Sequence, residues 1–229
     1  MDPQTLPEDA LAIYSELQKQ YKVAFEPLTV KTHRLNVLKP SDLEQILDGK
    51  DPFENVSEFP VWIKLWEGAI VLADYFASQL VEPGTTLLEL GGGLGVTGLV
   101  AAAAGYKVTM TDYEEHILNF QRISAAASKI DNVQFELLDW LNPPKMKQYD
   151  IIAAAEVLYR EEFFQPLLNV FEKALKPGGV IFLAHDEKRK SVKPFLELAQ
   201  KDYVIGMAKR RLKSLEGDTT ILLTRMMRR

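Results

Sequence analysis

The chain has 229 residues, of which 47% are hydrophobic and 26% charged, and a formal net charge of −5, which is typical of a folded globular protein. No apolar run reaches the roughly 18 residues that a membrane helix needs, and the acidic start MDPQTLPEDA lacks the apolar segment of a signal peptide. The absence of cysteine excludes disulfides, cysteine-ligated zinc and a thiol nucleophile. We therefore expect a cytoplasmic protein with no membrane partner.

The length fits one main domain, over residues 60–229, with an N-terminal extension over residues 1–59. Apolar residues at helical spacing predict a helix over residues 8–21, and alternation predicts short strands over 25–30 and 33–38. Ser41 and Glu44 form a capping-box pattern that predicts a short helix, and residues 48–60 have the composition of a loop. The extension is too small for a strong core, so we expect it to pack on the main domain.

The main domain alternates predicted strands and helices. An apolar helical stripe lies within residues 60–80, and further helices are predicted over 96–104, 114–129, 161–175 and 191–200. Strands are predicted over 86–90, 107–112, 133–138, 149–155 and 180–184, with a closing antiparallel pair over 203–212 and 219–226. This order predicts an α/β fold with a doubly wound, mostly parallel seven-stranded sheet whose last strand is antiparallel.

Residues 86–105 pass from a short apolar strand through three consecutive glycines into a helix. Glycine allows positive φ and a close approach of the backbone to a ligand, and the following helix N-terminus presents free N–H groups. Gly93, Gly95 and Gly98 match the dinucleotide-binding spacing G-x-G-x-x-G, and Asp112 follows about 20 residues later, as that fingerprint requires. An NAD(P)-dependent oxidoreductase is therefore one interpretation.

A second interpretation starts from Glu89, at the end of the strand and two residues before Gly91. The predicted strand ends at Gly91, whereas the dinucleotide fingerprint starts only at Gly93. A pyrophosphate needs bare N–H donors, whereas the ammonium group of S-adenosylmethionine benefits from a nearby carboxylate. Glu89 therefore favours a methionine-derived cofactor, and the rest of the chain has to decide between the two.

Ligands of parallel sheets bind at the carboxyl ends of the strands. Four of the five predicted strand ends carry a carboxylate, and carboxylates are seldom buried unpaired. A nucleoside with an amino-acid tail offers matching donors: an ammonium for Glu89, ribose hydroxyls for Asp112 and an exocyclic amine for Asp139. Trp140 could lie against the adenine face. The fifth end carries His185, which we interpret as structural, and no histidine has metal-ligand spacing, so we predict no metal site.

Five segments in sequence order resemble one family: WEGAIVLADYF, LLELGGGLGVTGLVAAAAG, VTMTD, LDW and YDIIAAAEVLY, within residues 66–159. Together they resemble the class I, seven-β-strand S-adenosylmethionine-dependent methyltransferases, and within them the protein-lysine methyltransferases of methyltransferase family 16. The resemblance implies binding of S-adenosylmethionine and release of S-adenosylhomocysteine. It implies these cofactor-binding residues: Trp66, Glu89, Gly91, Gly93, Gly95, Asp112, Tyr113, Asp139, Trp140 and Ala155.

The resemblance also implies the acceptor end of the site. The family's D-x-x-Y motif is matched by Glu156-Val-Leu-Tyr159, where Glu replaces Asp and adds a methylene. We expect Glu156 to attract the substrate amine and Tyr159 to line or orient it, with a protein lysine as acceptor. Methylation of a small molecule or RNA, and a non-catalytic binding module, are the alternatives to an enzyme acting on protein.

The charge is unevenly spread along the chain. Residues 181–229 contain 12 Lys and Arg but 6 Asp and Glu. Such a basic region could meet an acidic partner or nucleic acid. Aromatic residues are not interleaved as a nucleic-acid platform requires, so we expect no nucleic-acid partner and interpret the region as solvated strand faces of a monomer.

Overall fold

A computed structural model of the chain describes residues 1–42, 60–213 and 217–229. The helix predicted from Ser41 and Glu44 and the loop predicted over 48–60 lie, except at their ends, outside the described residues. The helices are α1 (Glu8–Gln20), α2 (Glu67–Ala77), α3 (Val96–Ala103), α4 (Glu115–Ala127), α5 (Phe164–Ala174) and α6 (Val192–Ala199). The strands are β1 (Val23–Val30), β2 (His33–Pro40), β3 (Thr86–Leu90), β4 (Lys107–Asp112), β5 (Val133–Leu137), β6 (Tyr149–Ala155), β7 (Leu175–Asp186), β8 (Tyr203–Leu212) and β9 (Thr219–Arg228).

Seven strands form one sheet in the order β5-β4-β3-β6-β7-β9-β8. Strands β3 to β7 are parallel to one another, whereas β9 is antiparallel to both β7 and β8. The order in which strands are added to the sheet reverses between β3 and β6: β4 and β5 lie on one side of β3, and β6 and β7 lie on the other. Open α/β sheets bind ligands at such a switch point. The predicted doubly wound, mostly parallel sheet with an antiparallel last strand is confirmed.

Helices cover both faces of this sheet, as parallel strands require. On one face α2 and α3 pack through fully buried side chains such as Phe76 and Leu99. On the other face α5 and α6 meet through Phe171 and Phe195, whose rings lie 6.5 Å apart. The central strands are therefore buried on both sides, and their carboxyl ends are held in fixed positions.

β1 and β2 form an antiparallel hairpin outside the main sheet. The backbone N–H groups of Asn36 and Leu38 donate to the hydroxyls of Ser128 and Ser124, each at 2.9 Å. Ser124 lies in α4, so side chains of the main domain satisfy part of the free edge of the hairpin. The division of the chain at residue 59 stays a prediction.

The structure differs from the predicted elements most clearly at β7. The sequence Lys-Pro-Gly-Gly predicts a turn before a strand that begins at Val180, but β7 already begins at Leu175. Leu175 pairs with Tyr149 of β6, and the register shifts before the regular pairs begin at Ile151 and Val180. Residues 176–179 have no partner on β6 and Gly178 has a φ of 77°, so the predicted turn lies inside β7 as an irregularity rather than before it.

Candidate active site

Glu89 lies near the end of β3 with 3% of its surface exposed. Its carboxylate oxygen Oε2 accepts a hydrogen bond of 3.1 Å from the backbone N–H of Gly98, in the first turn of α3. Burial raises the pKa of the Glu89 carboxyl to about 8, against the opposing effect of that hydrogen bond. A buried carboxyl of this kind gains its charge most readily when a cation binds beside it.

Space is tight where α3 meets Glu89. A Cβ atom on Gly98 would lie 2.3 Å from Oε2 of Glu89 and 2.8 Å from Cγ of Met110. Gly98, the third glycine of the dinucleotide spacing, therefore serves the packing of helix against strand. Gly91, Gly93 and Gly95 all have positive φ, of 61°, 53° and 78°, which a side chain would strain.

The glycine turn is tied to Asp112, at the end of β4. The Asp112 carboxylate accepts hydrogen bonds from the N–H of Gly93 at 2.9 Å and from the N–H of Tyr113 at 2.8 Å. Burial raises the pKa of Asp112 to about 6, although both N–H groups favour its charged form. The Gln121 side chain donates to the carbonyl of Gly93 at 2.9 Å, while its Oε1 atom has no partner among the described residues.

Two tryptophans adjoin the glycine turn. A Cβ on Gly91 would lie 3.2 Å from the Trp140 ring, and one on Gly93 would lie 3.4 Å from the carbonyl oxygen of Trp62. Trp66 lies immediately before α2, and its indole N–H donates to the carbonyl of Val61 at 2.7 Å. The backbone of Trp62 therefore approaches the turn, a neighbour that the sequence did not indicate.

Glu156 follows β6 in a left-handed conformation with a φ of 57°. This region is uncommon for a residue other than glycine and indicates strain that the surroundings must sustain. Its Oε1 accepts a hydrogen bond from the N–H of Asp186 at 2.8 Å, and its Oε2 lies 2.8 and 2.7 Å from Nε and Nη2 of Arg189. Burial raises the pKa of Glu156, and Arg189 opposes that rise.

Arg189 thus forms a two-pronged ion pair with a carboxylate whose side chain is only 5% exposed, while 23% of its own side chain is exposed. The sequence gives no sign of this pair, because Arg189 follows β7 and lies 33 residues from Glu156 in the chain. A Cβ on Gly68 of α2 would lie 3.0 Å from Glu156 Oε1, so that glycine leaves room for the carboxylate.

Tyr159 is 41% exposed, and its ring packs edge-on against Phe163 at 5.7 Å. Trp140 also packs edge-on against Phe163, with ring centroids 5.7 Å apart. Burial raises the pKa of the Tyr159 hydroxyl. Phe163, which the sequence analysis missed, therefore connects the two aromatic residues expected at the cofactor and acceptor ends.

His185 is 1% exposed, and its Nε2 accepts a hydrogen bond of 3.3 Å from the N–H of Leu158. Burial, assisted by the charge of Arg189, lowers its pKa to about 3, so the ring is neutral and holds the backbone beside Tyr159. This is the structural role expected for it.

The other expected cofactor residues make local contacts. Asp139 accepts from the N–H of Leu141 at 2.8 Å, Tyr113 is 69% exposed, and Ala155 ends β6. Within residues 1–42, 60–213 and 217–229, no cluster of His, Asp and Glu could hold a metal ion. No helix in that part of the chain is long and apolar enough to cross a membrane.

The sheet order and the glycine turn after β3 define a Rossmann-like methyltransferase fold. Among solved structures, the ribosomal protein L11 methylase of Lactobacillus delbrueckii subsp. bulgaricus matches with a TM-score of 0.56 at 20% identity, over 72% of this chain and 81% of that one. The sequence model of the lysine methyltransferase family matches residues 53–202. The chain belongs to this family, which confirms the resemblance of its motifs.

Related proteins are about 30% identical to the chain over the residues that align. Protein N-lysine methyltransferase METTL21A of Xenopus tropicalis is 30% identical over 147 residues, covering 62% of this chain and 68% of its own length. EEF1A lysine methyltransferase 3 of Mus musculus is 32% identical over 132 residues, covering 56% of this chain and 57% of its own length.

Proposed function

We propose that the chain is an S-adenosylmethionine-dependent methyltransferase that methylates a lysine side chain of a protein. The observation that carries the proposal is the pair of carboxyls, Glu89 and Asp112, at adjacent strand ends around a glycine turn with positive φ. Membership of the lysine methyltransferase family supports the reaction, and the names of the relatives support lysine in a protein as the acceptor.

The residues present fit the cofactor. The glycine turn leaves space that a Cβ would fill at Gly91, beside the flat Trp140 ring. The buried Glu89 carboxyl would pair with the ammonium of the methionine end, and Asp112 would accept from ribose hydroxyls. Trp66, Tyr113, Asp139 and Ala155 stay proposed contacts. When bound, the cofactor supplies an electrophilic methyl group on a sulfonium.

The same geometry argues against a dinucleotide. A pyrophosphate at this turn would face the Glu89 carboxyl, and the N–H of Gly93 already donates to Asp112. A parallel calorimetric titration with S-adenosylmethionine, S-adenosylhomocysteine and NADH tests the proposal. We expect micromolar binding of the first two and none of NADH; binding of NADH alone would support the oxidoreductase, and no binding would support the non-catalytic module.

A matched pair of variants locates the cofactor. Asp112→Asn should weaken binding of S-adenosylhomocysteine by about tenfold or more, because it removes a charged acceptor. Asp131→Asn makes the same change at an exposed position before β5 and should leave the affinity unchanged. Equal affinity of both variants would contradict the placement of the ribose at Asp112.

At the acceptor end, Glu156 and Tyr159 are the proposed catalytic residues. Methyl transfer is an in-line displacement, so the protein mainly positions a deprotonated amine. Arg189 fixes the Glu156 carboxylate, which draws the acceptor amine to the site, and Tyr159 lines the approach. Desolvation lowers the pKa of the incoming lysine and favours its neutral form.

The role of Glu156 is tested on a confirmed protein substrate. Glu156→Gln should lower methyl transfer while leaving the affinity for S-adenosylhomocysteine unchanged, and unchanged turnover would contradict it. Glu82→Gln, before β3, is the control.

We also propose that the protein acts as a monomer in the cytoplasm. Light scattering after size exclusion would test the oligomeric state, and imaging of the tagged protein would test the location.

A further inference from the structure

The basic C-terminal segment of β8 lies at the same end of the sheet as the candidate active site, where the parallel strands have their carboxyl ends. Strands β7 and β8 run in the same direction, because both are antiparallel to β9. Arg210 lies opposite Ile221 of β9, and Ile221 lies opposite Asp186 of β7. Arg210 is therefore two strands away from Asp186, or about 10 Å across the sheet.

The segment after β7 brings more cations to the same place. Lys188 and Lys190 are exposed and flank Arg189, which holds Glu156. The ammonium of Lys209 in β8 bonds to the carboxylate of Glu187, so the two basic segments are in direct contact. Both Lys188 and Lys190 are thus adjacent in sequence to a residue that touches the proposed acceptor end.

These two segments, residues 186–193 and 209–213, contain eight Lys and Arg but only two Asp and Glu, in a chain with a net charge of −5. Four of the eight cations are paired, and the pairs are Arg189–Glu156, Lys193–Glu197, Lys209–Glu187 and Arg211–Asp218. The other four are exposed and make no ion pair within the described residues; they are Lys188, Lys190, Arg210 and Lys213. We name these four the basic surface.

We propose that the basic surface binds an acidic segment of the protein substrate, beside the lysine that is methylated; this rests on the proposed function. Exposed cations grouped next to a site attract carboxylates and orient the partner before chemistry occurs. A protein fits better than RNA, because neither segment contains an aromatic residue on which bases could stack. The carboxylates of Glu187 and Asp218, among these cations, would also oppose closely spaced phosphates.

The test uses the full chain and three fluorescein-labelled probes: a peptide of ten glutamates, a peptide of ten lysines and a ten-nucleotide uridine RNA. Fluorescence anisotropy at low salt should show binding of the acidic peptide that weakens as salt is added, and no binding of the basic peptide. The variant Lys188→Glu, Lys190→Glu, Arg210→Glu should bind the acidic peptide at least about tenfold more weakly.

The matched control reverses the charge of three exposed lysines near the opposite end of the sheet, where the strands begin: Lys107→Glu, Lys173→Glu, Lys201→Glu. It makes the same change in net charge and should keep the peptide affinity within about twofold. Equal loss in both variants, no binding to the wild type, or binding of RNA tighter than of the acidic peptide would overturn the proposal.

Calorimetry with S-adenosylhomocysteine on the same proteins separates the two proposals. Unchanged affinity in both variants shows that they are folded and that the cofactor site is independent of the surface. If the wild type binds the acidic peptide but no S-adenosylhomocysteine, the proposed function fails and the basic surface stands.

Discussion

The buried carboxyl of Glu89 makes the stability of the protein depend on pH in a way that one substitution can isolate. Its pKa is about 8 in the folded protein, against 4.5 for the ordinary group. Between these values the folded state binds more protons than the unfolded state, so stability contributed by Glu89 is present below pH 4.5 and is lost as pH rises. Glu89→Gln removes this titration while keeping the shape of the side chain.

The expected size follows from the same values. Each pH unit inside this window costs the wild type up to about 1.4 kcal/mol relative to Glu89→Gln. Because the unfolded group is still partly protonated at pH 5, the variant gains about 2.5 kcal/mol of relative stability between pH 5 and pH 7. Urea denaturation followed by circular dichroism gives the free energy of unfolding of both proteins at each pH. The difference between the two proteins removes the shared titration of the other groups.

The control is Glu136→Gln, the same chemical change at an exposed position on β5. It should alter the free energy of unfolding by less than about 0.5 kcal/mol at either pH. A difference between Glu89→Gln and wild type that stays constant from pH 5 to pH 7 would refute the reasoning, because Glu89 would then titrate alike in both states.

Three further predictions concern the same site. Because pairing with an ammonium requires Glu89 to lose its proton, the affinity for S-adenosylhomocysteine should rise between pH 6 and pH 8, by up to about tenfold per unit, and calorimetry in buffers of different ionisation enthalpy should detect proton release. Arg189→Ala should lower the free energy of unfolding by about 2 kcal/mol, since it leaves the buried Glu156 carboxylate unpaired, and adding Glu156→Gln should recover part of the loss in urea titrations. Gly98→Ala should cost about 2 kcal/mol or more because its Cβ has no room, whereas Gly206→Ala, which has nothing within 4 Å, should leave the thermal midpoint nearly unchanged.

Each of these three predictions has one result that would contradict it. An affinity independent of pH would mean that Glu89 does not meet the ammonium. Full stability of Arg189→Ala would mean that the carboxylate of Glu156 finds water or another donor. Equal midpoints for the two glycine variants would mean that α3 can move away from Glu89.

The sequence predicts the sheet and the glycine turn well, since both depend on signals within a few residues. Strands β3 and β6 are short apolar runs, and each is followed by a clear change in composition. Glycine tolerates the positive φ that Gly91, Gly93 and Gly95 adopt. The start of β7 was predicted wrongly because its pairing with Tyr149 acts over a distance that local composition does not encode.

The candidate site is predictable where its residues follow strands and unpredictable where partners come from elsewhere. Glu89 and Asp112 follow from strand ends, and their hydrogen bonds to Gly98 and Gly93 span at most 19 residues. The contact of Gln121 with Gly93 spans 28 residues and that of Arg189 with Glu156 spans 33, so both require the folded chain. No sequence pattern gives the left-handed φ of Glu156.

Glu156 stands where the D-x-x-Y motif that the segment resembles has aspartate, and it adopts a left-handed conformation. Glutamate in a left-handed conformation is less favourable than aspartate, which tolerates that region better. Its carboxylate accepts a hydrogen bond from the N–H of Asp186 and pairs with the guanidinium of Arg189. These contacts hold Glu156 in its strained conformation, and the proposed acceptor end therefore involves Arg189 as well as Glu156.

The central claim is methyl transfer to a lysine of a protein, and one measurement tests it most directly. Wild-type protein is incubated with S-adenosylmethionine carrying a deuterated methyl group and a whole-cell lysate, the proteins are hydrolysed, and the amino acids are analysed by mass spectrometry. We predict deuterated N-methyl-lysine above the level given by Asp112→Asn. Label found only in methylhistidine, methylarginine or RNA nucleosides, or no label above that variant, would contradict the account.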